Sequence, residues 1–177
     1  MVVVVTTIHM KTIHNFLDQN TIDFAIREVE DRMAWDKWDD SRIRWPKELV
    51  EGAVIGGVIH DRASPILSDM ILNALTPHIP PGVELMVHHY LWYPMSGINM
   101  HDDGGQKLFG ATIYLTKVWN INWGGIFVCD DNSGQLQARY PTYNSLNLVS
   151  PGEKHMVTQI SPLAPHPRYT LQIFGNK

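Results

Sequence analysis

Apolar positions recur at helical spacing in the first part of the chain and in short alternating bursts in the second. Ile22, Ile26, Val29 and Met33 fall on one helical face, with Arg27, Glu28 and Asp31 on the other. Asn20, a good N-cap residue, opens this helix, which runs to about Met33. A second helix starts with Ser64 as N-cap and Pro65 at its first position; Ile66, Leu67, Met70, Ile71, Ala74 and Leu75 form its stripe, and Pro77 stops it. Between them, residues 36–46 mix Trp with both charge signs, reading as a solvated loop or as a mobile segment over an active-site mouth. Residues 54–60 read as a strand containing a glycine pair.

From Glu84 onward strands dominate: 84–92, 111–115, 125–128, 136–140, 146–149, 155–160 and 169–174, punctuated by Gly, Pro, Asn and Asp. Short strands at this spacing favour a sandwich or barrel, here an α+β, mainly β arrangement with N-terminal helices buttressing one sheet. One domain over 1–177 is expected, with helical and strand support in 1–83 and the β-core from about 84. The opening apolar run 1–5 lacks a basic flank and is ended by Thr6 and Thr7, so it reads as a buried strand rather than a signal peptide.

Composition narrows the function classes. The chain is 44% hydrophobic with a formal charge of −4, so it has ample material for a core and no general basicity for nucleic acid. The acidic excess lies in residues 1–100, with 8 basic against 13 acidic side chains; residues 101–177 carry 6 against 5. Cys129 is the one cysteine, which excludes an intrachain disulfide. No apolar run reaches the ~20 residues of a membrane helix, so a cytoplasmic protein is expected, with neither membrane nor nucleic acid as partner.

The candidate chemistry begins at His101-Asp102-Asp103, between the turn signal Ser96-Gly97 and the glycines Gly104-Gly105. On extended backbone, His101 and Asp103 point the same way and Asp102 points away. Two ligands hold a divalent ion weakly, so a third is needed. A two-His-one-carboxylate set leaves positions open and suits iron(II) oxygenases. Of the nine histidines, His155 is the best third ligand: it follows the turn Ser150-Pro151-Gly152 and opens the apolar pair Met156-Val157. His88 and His89 are adjacent and face opposite sides of a strand, while His166 lies between two prolines. The triplet alone is a weak motif, since a lone His is more often structural than a ligand.

Further elements follow in order. Tyr93-Pro94 and Gly97 precede the triplet; Ala111-Thr112-Ile113-Tyr114-Leu115 and Trp119 precede Trp123-Gly124-Gly125; His155 is followed by Arg168-Tyr169-Thr170 at the last strand. Over roughly 84–177 this set resembles the prolyl 4-hydroxylase branch of the 2-oxoglutarate and iron(II)-dependent oxygenases, especially the oxygen-sensing prolyl hydroxylases of animals and their bacterial relatives. Residues 13–18, leading into the first helix, are similar to that family's start, less specifically. The resemblance implies a double-stranded β-helix (jelly roll) core. It implies iron(II) on His101, Asp103 and His155, with no catalytic residue beyond these ligands. It implies 2-oxoglutarate on Arg168 and Tyr114, with Thr170 one same-face step further and Tyr93 lining the co-substrate pocket, and dioxygen as co-substrate. The implied reaction is hydroxylation, with release of succinate and carbon dioxide, of a prolyl residue in a peptide or protein, or of a small molecule.

The residue chemistry agrees. A planar guanidinium suits a carboxylate, and its burial requires an anion; the bland alternative pairs Arg168 with Asp130 or Asp131. Trp119, Trp123 and Phe127 read as core or pocket wall, Gly124-Gly125 as a tight turn, and Cys129 as a buried small side chain. The chain departs from the family pattern in Ile126-Phe127 after the double glycine, in Ile173-Phe174 where a tryptophan is usual, and in a long, Pro-rich His155-to-Arg168 connection. Two other readings compete: a non-enzymatic jelly-roll assembly module, and a cupin-like metal enzyme that needs no 2-oxoglutarate and no Arg168.

Overall fold

Residues 10–34, 57–104, 107–130 and 134–176 are described by the computed structural model; the segments 1–5 and 36–46 lie outside them. Helix α1 spans Gln19–Ala34 and α2 spans Pro65–Leu75. The capping of α2 is as expected: Ser64 accepts from the Leu67 amide at 3.2 Å with Pro65 in the first turn. Its buried stripe is narrower than the pattern suggested, with Leu67, Ile71 and Leu75 buried and Ile66 exposed.

Helix α1 departs from expectation twice. Its cap is Asp18 rather than Asn20, through bonds of 2.9 Å from the Thr21 amide and hydroxyl. Tertiary contacts decide this: Asn144 clamps Leu17, accepting from its amide and donating to its carbonyl at 2.9 Å, so the chain turns at Asp18. The capping bonds hold the Asp18 carboxyl below its usual range. Glu28 does not join a solvent face. It reaches inward to His89 Nε2 at 2.8 Å, and Arg32 extends the tether to Asp61 at 2.6 Å.

The strands form two sheets. The larger, in order β1-β8-β5-β10-β3-β2, contains β1 (Lys11–His14), β2 (Val58–Arg62), β3 (Glu84–Trp92), β5 (Lys107–Tyr114), β8 (Ser145–Val149) and β10 (Arg168–Asn176). The smaller, β4-β9-β6-β7, contains β4 (Ile98–His101), β6 (Phe127–Asp130), β7 (Leu136–Arg139) and β9 (His155–Val157). All ladders are antiparallel, and with the flanking helices they make the jelly-roll architecture expected of the chain. Strands β1 and β4 went unread in the sequence. β6 starts two residues later than expected, since Gly124 and Gly125 both have positive φ.

Register sorts the large sheet into two faces. On the outer face, Ile13, Leu146, Ile113, Leu171 and His89 form one row across β1, β8, β5, β10 and β3. Its apolar members pack with Leu17, Ile22, Ala25, Leu67 and Ile71 into the main core. Opposite rows on the inner face are polar: Ser145, Tyr114, Thr170, Tyr90 and His60, then Thr12, Asn147, Thr112, Gln172, His88 and Arg62. A second core between the sheets includes Val58, Trp92, Ile98, Phe127, Val157 and Ile160. Among the described residues no helix is long and apolar enough to cross a membrane.

Candidate metal centre

The ends of β4 and β9 meet where the two sheets open. His101 and His155 are paired across that ladder, and Asp103 follows two residues after His101. Ligand atoms of the three lie within 4.8 Å of one another; His101 Nε2 is 3.9 Å from Asp103 Oδ1 and His155 Nε2 is 3.8 Å from Asp103 Oδ2. Each imidazole is oriented by a carbonyl, which can only accept. His101 Nδ1–H donates to Asn99 O at 2.7 Å and His155 Nδ1–H to Glu153 O at 3.0 Å. Both Nε2 lone pairs therefore face the carboxylate. Burial, with the nearby His155, pushes the His101 pKa down against the Asn99 bond and the Asp103 charge, favouring the neutral, ligating form.

Further contacts hold these ligands in place. Phe127 stacks on His155 with ring centroids 5.3 Å apart. Buried Glu153 accepts from the Ser150 amide at 2.8 Å and the Met10 amide at 3.2 Å, closing the turn that presents His155. Gly110 on β5 lies beneath Asp103, where a Cβ would stand 2.6 Å from Oδ2. Only a residue without a side chain leaves room for the carboxylate in this position.

A cavity extends from the cluster between the sheets, lined by the three ligands together with Tyr90, Trp92, Ile98, Thr112, Tyr114, Phe127, Val157, Arg168, Gln172 and Phe174. Arg168 is 1% exposed. Its Nη1 donates to Gly125 O, its Nε has no partner, and its guanidinium carbon lies 5.0 Å from the Trp92 ring and 5.4 Å from the Tyr114 ring. Among the described residues no carboxylate pairs with it, which removes the Asp130 alternative; Asp131 lies outside them. Burial pushes its pKa down to about 10. A buried cation is expensive unless an anion joins it.

The double glycine does more than turn the chain. Gly124 and Gly125 have φ of 68° and 66°, and a Cβ at Gly124 would meet Gln159 O at 2.1 Å. That close passage aims the Gly125 carbonyl at Arg168, while Trp119 Nε1 fixes the Gly124 carbonyl at 2.9 Å. Tyr114 is buried, its oxygen accepting from Asn147 Nδ2 at 3.2 Å, and burial raises its pKa.

Of the expected site residues, His101, Asp103, His155, Arg168 and Tyr114 are brought together on the cavity wall. Thr170 lies on the same face as Arg168 but behind the wall, accepting from Trp92 Nε1 at 3.3 Å. Tyr93 does not reach the cavity; it packs against the helix-side core, because β3 ends at Trp92 and the chain turns. Tyr90 and Trp92 line the cavity instead. Burial and the Asp103 charge raise Tyr90 to about 12. Tyr90 and Trp92, like Gln172 and Phe174, share a two-residue period with residues already singled out or with each other, a signal visible in the strands once their inner face is known.

The donor set fits a divalent metal: two imidazoles and one carboxylate converge at the cavity wall. The unpaired Arg168 Nε fits a carboxylate ligand.

The architecture is that of the prolyl 4-hydroxylase-like 2-oxoglutarate oxygenases. A Pseudomonas putida prolyl-4-hydroxylase superposes with a TM-score of 0.73 at 18% identity, covering 95% of this chain and 92% of that one. A Trichoplax adhaerens prolyl hydroxylase in complex with a hypoxia inducible factor oxygen degradation domain peptide gives 0.73 at 14% identity, covering 94% and 83%. The viral collagen prolyl hydroxylase of Paramecium Bursaria Chlorella virus-1, in its 2-oxoglutarate complex, gives 0.65 at 13% identity, covering 98% of each chain. At these identities the likeness is one of fold. No family model and no curated protein matches the sequence.

Proposed function

We propose that the chain is an iron(II)- and 2-oxoglutarate-dependent dioxygenase that hydroxylates its substrate with release of succinate and carbon dioxide. One observation carries this reading: a two-His-one-carboxylate cluster and an unpaired buried guanidinium share one cavity. His101, Asp103 and His155 would hold the metal. When bound, metal, keto acid and dioxygen supply the oxidising chemistry.

The chain's own residues bind, orient and shield. Arg168 would hold the distal carboxylate of the keto acid, whose oxygens accept from its remaining N–H groups and supply the missing partner. Asn147 donates to the Tyr114 oxygen, so the phenolic proton of Tyr114 is left to donate to the same carboxylate. Trp92 and Phe127 surround the bound groups with apolar surface, which strengthens each charged contact inside. The substrate is a prolyl residue in a peptide or protein, a choice supported by the prolyl hydroxylases of like fold, one of them holding a peptide.

The test is succinate formation by protein reconstituted with iron(II). Slow 2-oxoglutarate turnover is expected, abolished by His101→Ala. Oxygen uptake indifferent to 2-oxoglutarate would move the reading to a cupin-like enzyme. No turnover and no metal binding would leave a structural jelly roll, a role that gives no reason for the unpaired Arg168.

A further inference from the structure

The polar row through Gln172 does not stop at the cavity. Thr12, Asn147, Thr112, Gln172, His88 and Arg62 are successive register partners across six strands. The first four satisfy one another: Thr12 Oγ1 donates to Asn147 Oδ1 at 2.8 Å, and Thr112 Oγ1 to Gln172 Oε1 at 2.8 Å. At the other end a buried imidazole nitrogen lies next to an exposed guanidinium. His88 Nδ1 is buried with no hydrogen-bond partner. The Arg62 guanidinium makes no hydrogen bond or ion pair among the described residues; only its backbone is engaged, its amide by Asp61 at 2.7 Å and its carbonyl by Arg32 at 2.9 Å. Asp61 belongs to the opposite face, where Arg32 Nε takes its carboxylate at 2.6 Å. Lys107, the other cation near the cavity, is already held between Asp103 at 3.9 Å and the Phe174 ring at 3.6 Å.

His60, in the neighbouring row, brings the cluster to the cavity. Its ring lies 5.6 Å from that of His88 and 5.6 Å from that of Tyr90, and Tyr90 lines the cavity beside Asp103. A guanidinium and two imidazoles thus share one end of the inner face, with no carboxylate on that face of β2 and β3 beyond Glu84 at the far end of β3. Burial and the neighbouring His60 and Arg62 all press His88 toward its neutral form, only partly offset by Asp61. An anion placed there would relieve that pressure.

We propose that Arg62 and His88, with His60 at their side, form a carboxylate-binding subsite for the primary substrate. The inference rests on the dioxygenase reading for its geometry: the substrate must also reach the metal cluster. Strands lie about 4.8 Å apart, so His88 and Arg62 stand roughly 5 and 10 Å along the sheet from Gln172. A carboxylate held there lies that far along the sheet from the cavity wall at Gln172. Arg168, sealed at the other end of the cavity, is reserved for the co-substrate. Arg62 and His88 are specificity-determining residues in this scheme.

The test uses zinc-loaded protein saturated with 2-oxoglutarate, which binds without turning over. The probes are N-acetyl-L-proline and N-acetyl-L-leucine, each against its amide, and an acetylated peptide amide with Glu beside Pro against its Gln counterpart. The readout is the imidazole C–H NMR signals, assigned with His60→Gln and His88→Gln. At least one acid should shift the His88 signal with a Kd tenfold or more below that of its uncharged partner. The small acids and the peptide tell whether a free terminus or a side chain supplies the carboxylate. Arg62→Gln should erase the preference and Arg62→Lys should retain part of it. Equal binding of acid and uncharged partner in every pair, or a preference untouched by Arg62→Gln, overturns the proposal. Failure of the co-substrate reading shows separately, as no effect of 2-oxoglutarate on the protein's tryptophan fluorescence.

Discussion

Strand β10 has two faces built for different ends. Outward, Tyr169, Leu171 and Ile173 are buried against the helices. Inward, Arg168, Thr170, Gln172 and Phe174 alternate with them and face the space between the sheets. The outward face stabilises, since its apolar side chains are buried and its one polar group, the Tyr169 hydroxyl, is hydrogen-bonded to His89 and to the Ala25 carbonyl. The inward face spends stability: it buries a guanidinium without a counter-ion, and it bends the chain through two positive-φ glycines to do so. One strand therefore carries both the core and the site, and alternation keeps them apart.

Substitutions on the two faces should separate these roles. The largest effect is expected from Arg168→Met. Calorimetric titration should show 2-oxoglutarate affinity falling by roughly 100-fold or more, as for loss of a buried charge pair. Its thermal stability without ligand should match the parent or exceed it by up to about 1–4 kcal/mol, because an unpaired buried charge is removed. A strongly destabilised Arg168→Met would contradict the contrast between the faces. Leu171→Ala should do the opposite, costing about 2–5 kcal/mol in denaturant unfolding while leaving cofactor affinity in the surviving folded protein near parental.

Gly110→Ala sharpens the inward face further. The added Cβ displaces the Asp103 carboxylate, so cobalt(II) titration should show affinity lowered about tenfold or more, roughly 1.4 kcal/mol, with little change in unfolding midpoint. On the outward side, acid should loosen the helix tether. Burial alone would raise Glu28, but bonds from His89 and Ser64 outweigh it and hold the carboxyl at about 2, below its ordinary 4.5. Its contribution is present above pH 4.5 and is lost as pH falls toward 2. Burial lowers His89 below its ordinary 6.5, despite Glu28, so the unfolded chain takes that proton more readily and stability also declines below pH 6.5. Melting temperature should therefore fall steadily below that pH, and Glu28→Gln should flatten the lower part of the curve. The smallest effect, about 1 kcal/mol, is expected from removing the α2 cap with Ser64→Ala.

Much of this division was legible in the chain itself. Helix α2 and the long strand β3 could be read because apolar spacing and caps are local properties. The triplet at His101 and the later His155 could be found because each sits beside a turn signal that marks a strand end, and Arg168 because the ordered motifs around it resemble those of the oxygenase family. Opposite facing of His88 and His89 followed from alternation alone. The sequence could not show which face was which. Glu28 looked like a solvent residue because helical periodicity has no knowledge of a buried histidine on a distant strand. Tyr93 looked like a pocket residue, whereas Tyr90 and Trp92 line the cavity, because where β3 ends is set by pairing with β10 and β2.

By itself, then, the sequence determined the residue types that can ligate a metal and bind a carboxylate, their order, and the periods that make helices and strands. Tertiary structure alone decided that His101 and His155 pair across one ladder, that Gly110 makes room for Asp103, and that Arg168 is left without a counter-ion. The reason is physical. Ligand convergence and charge compensation depend on distances of a few ångströms between residues far apart in the chain, and only the register of the sheets sets those distances.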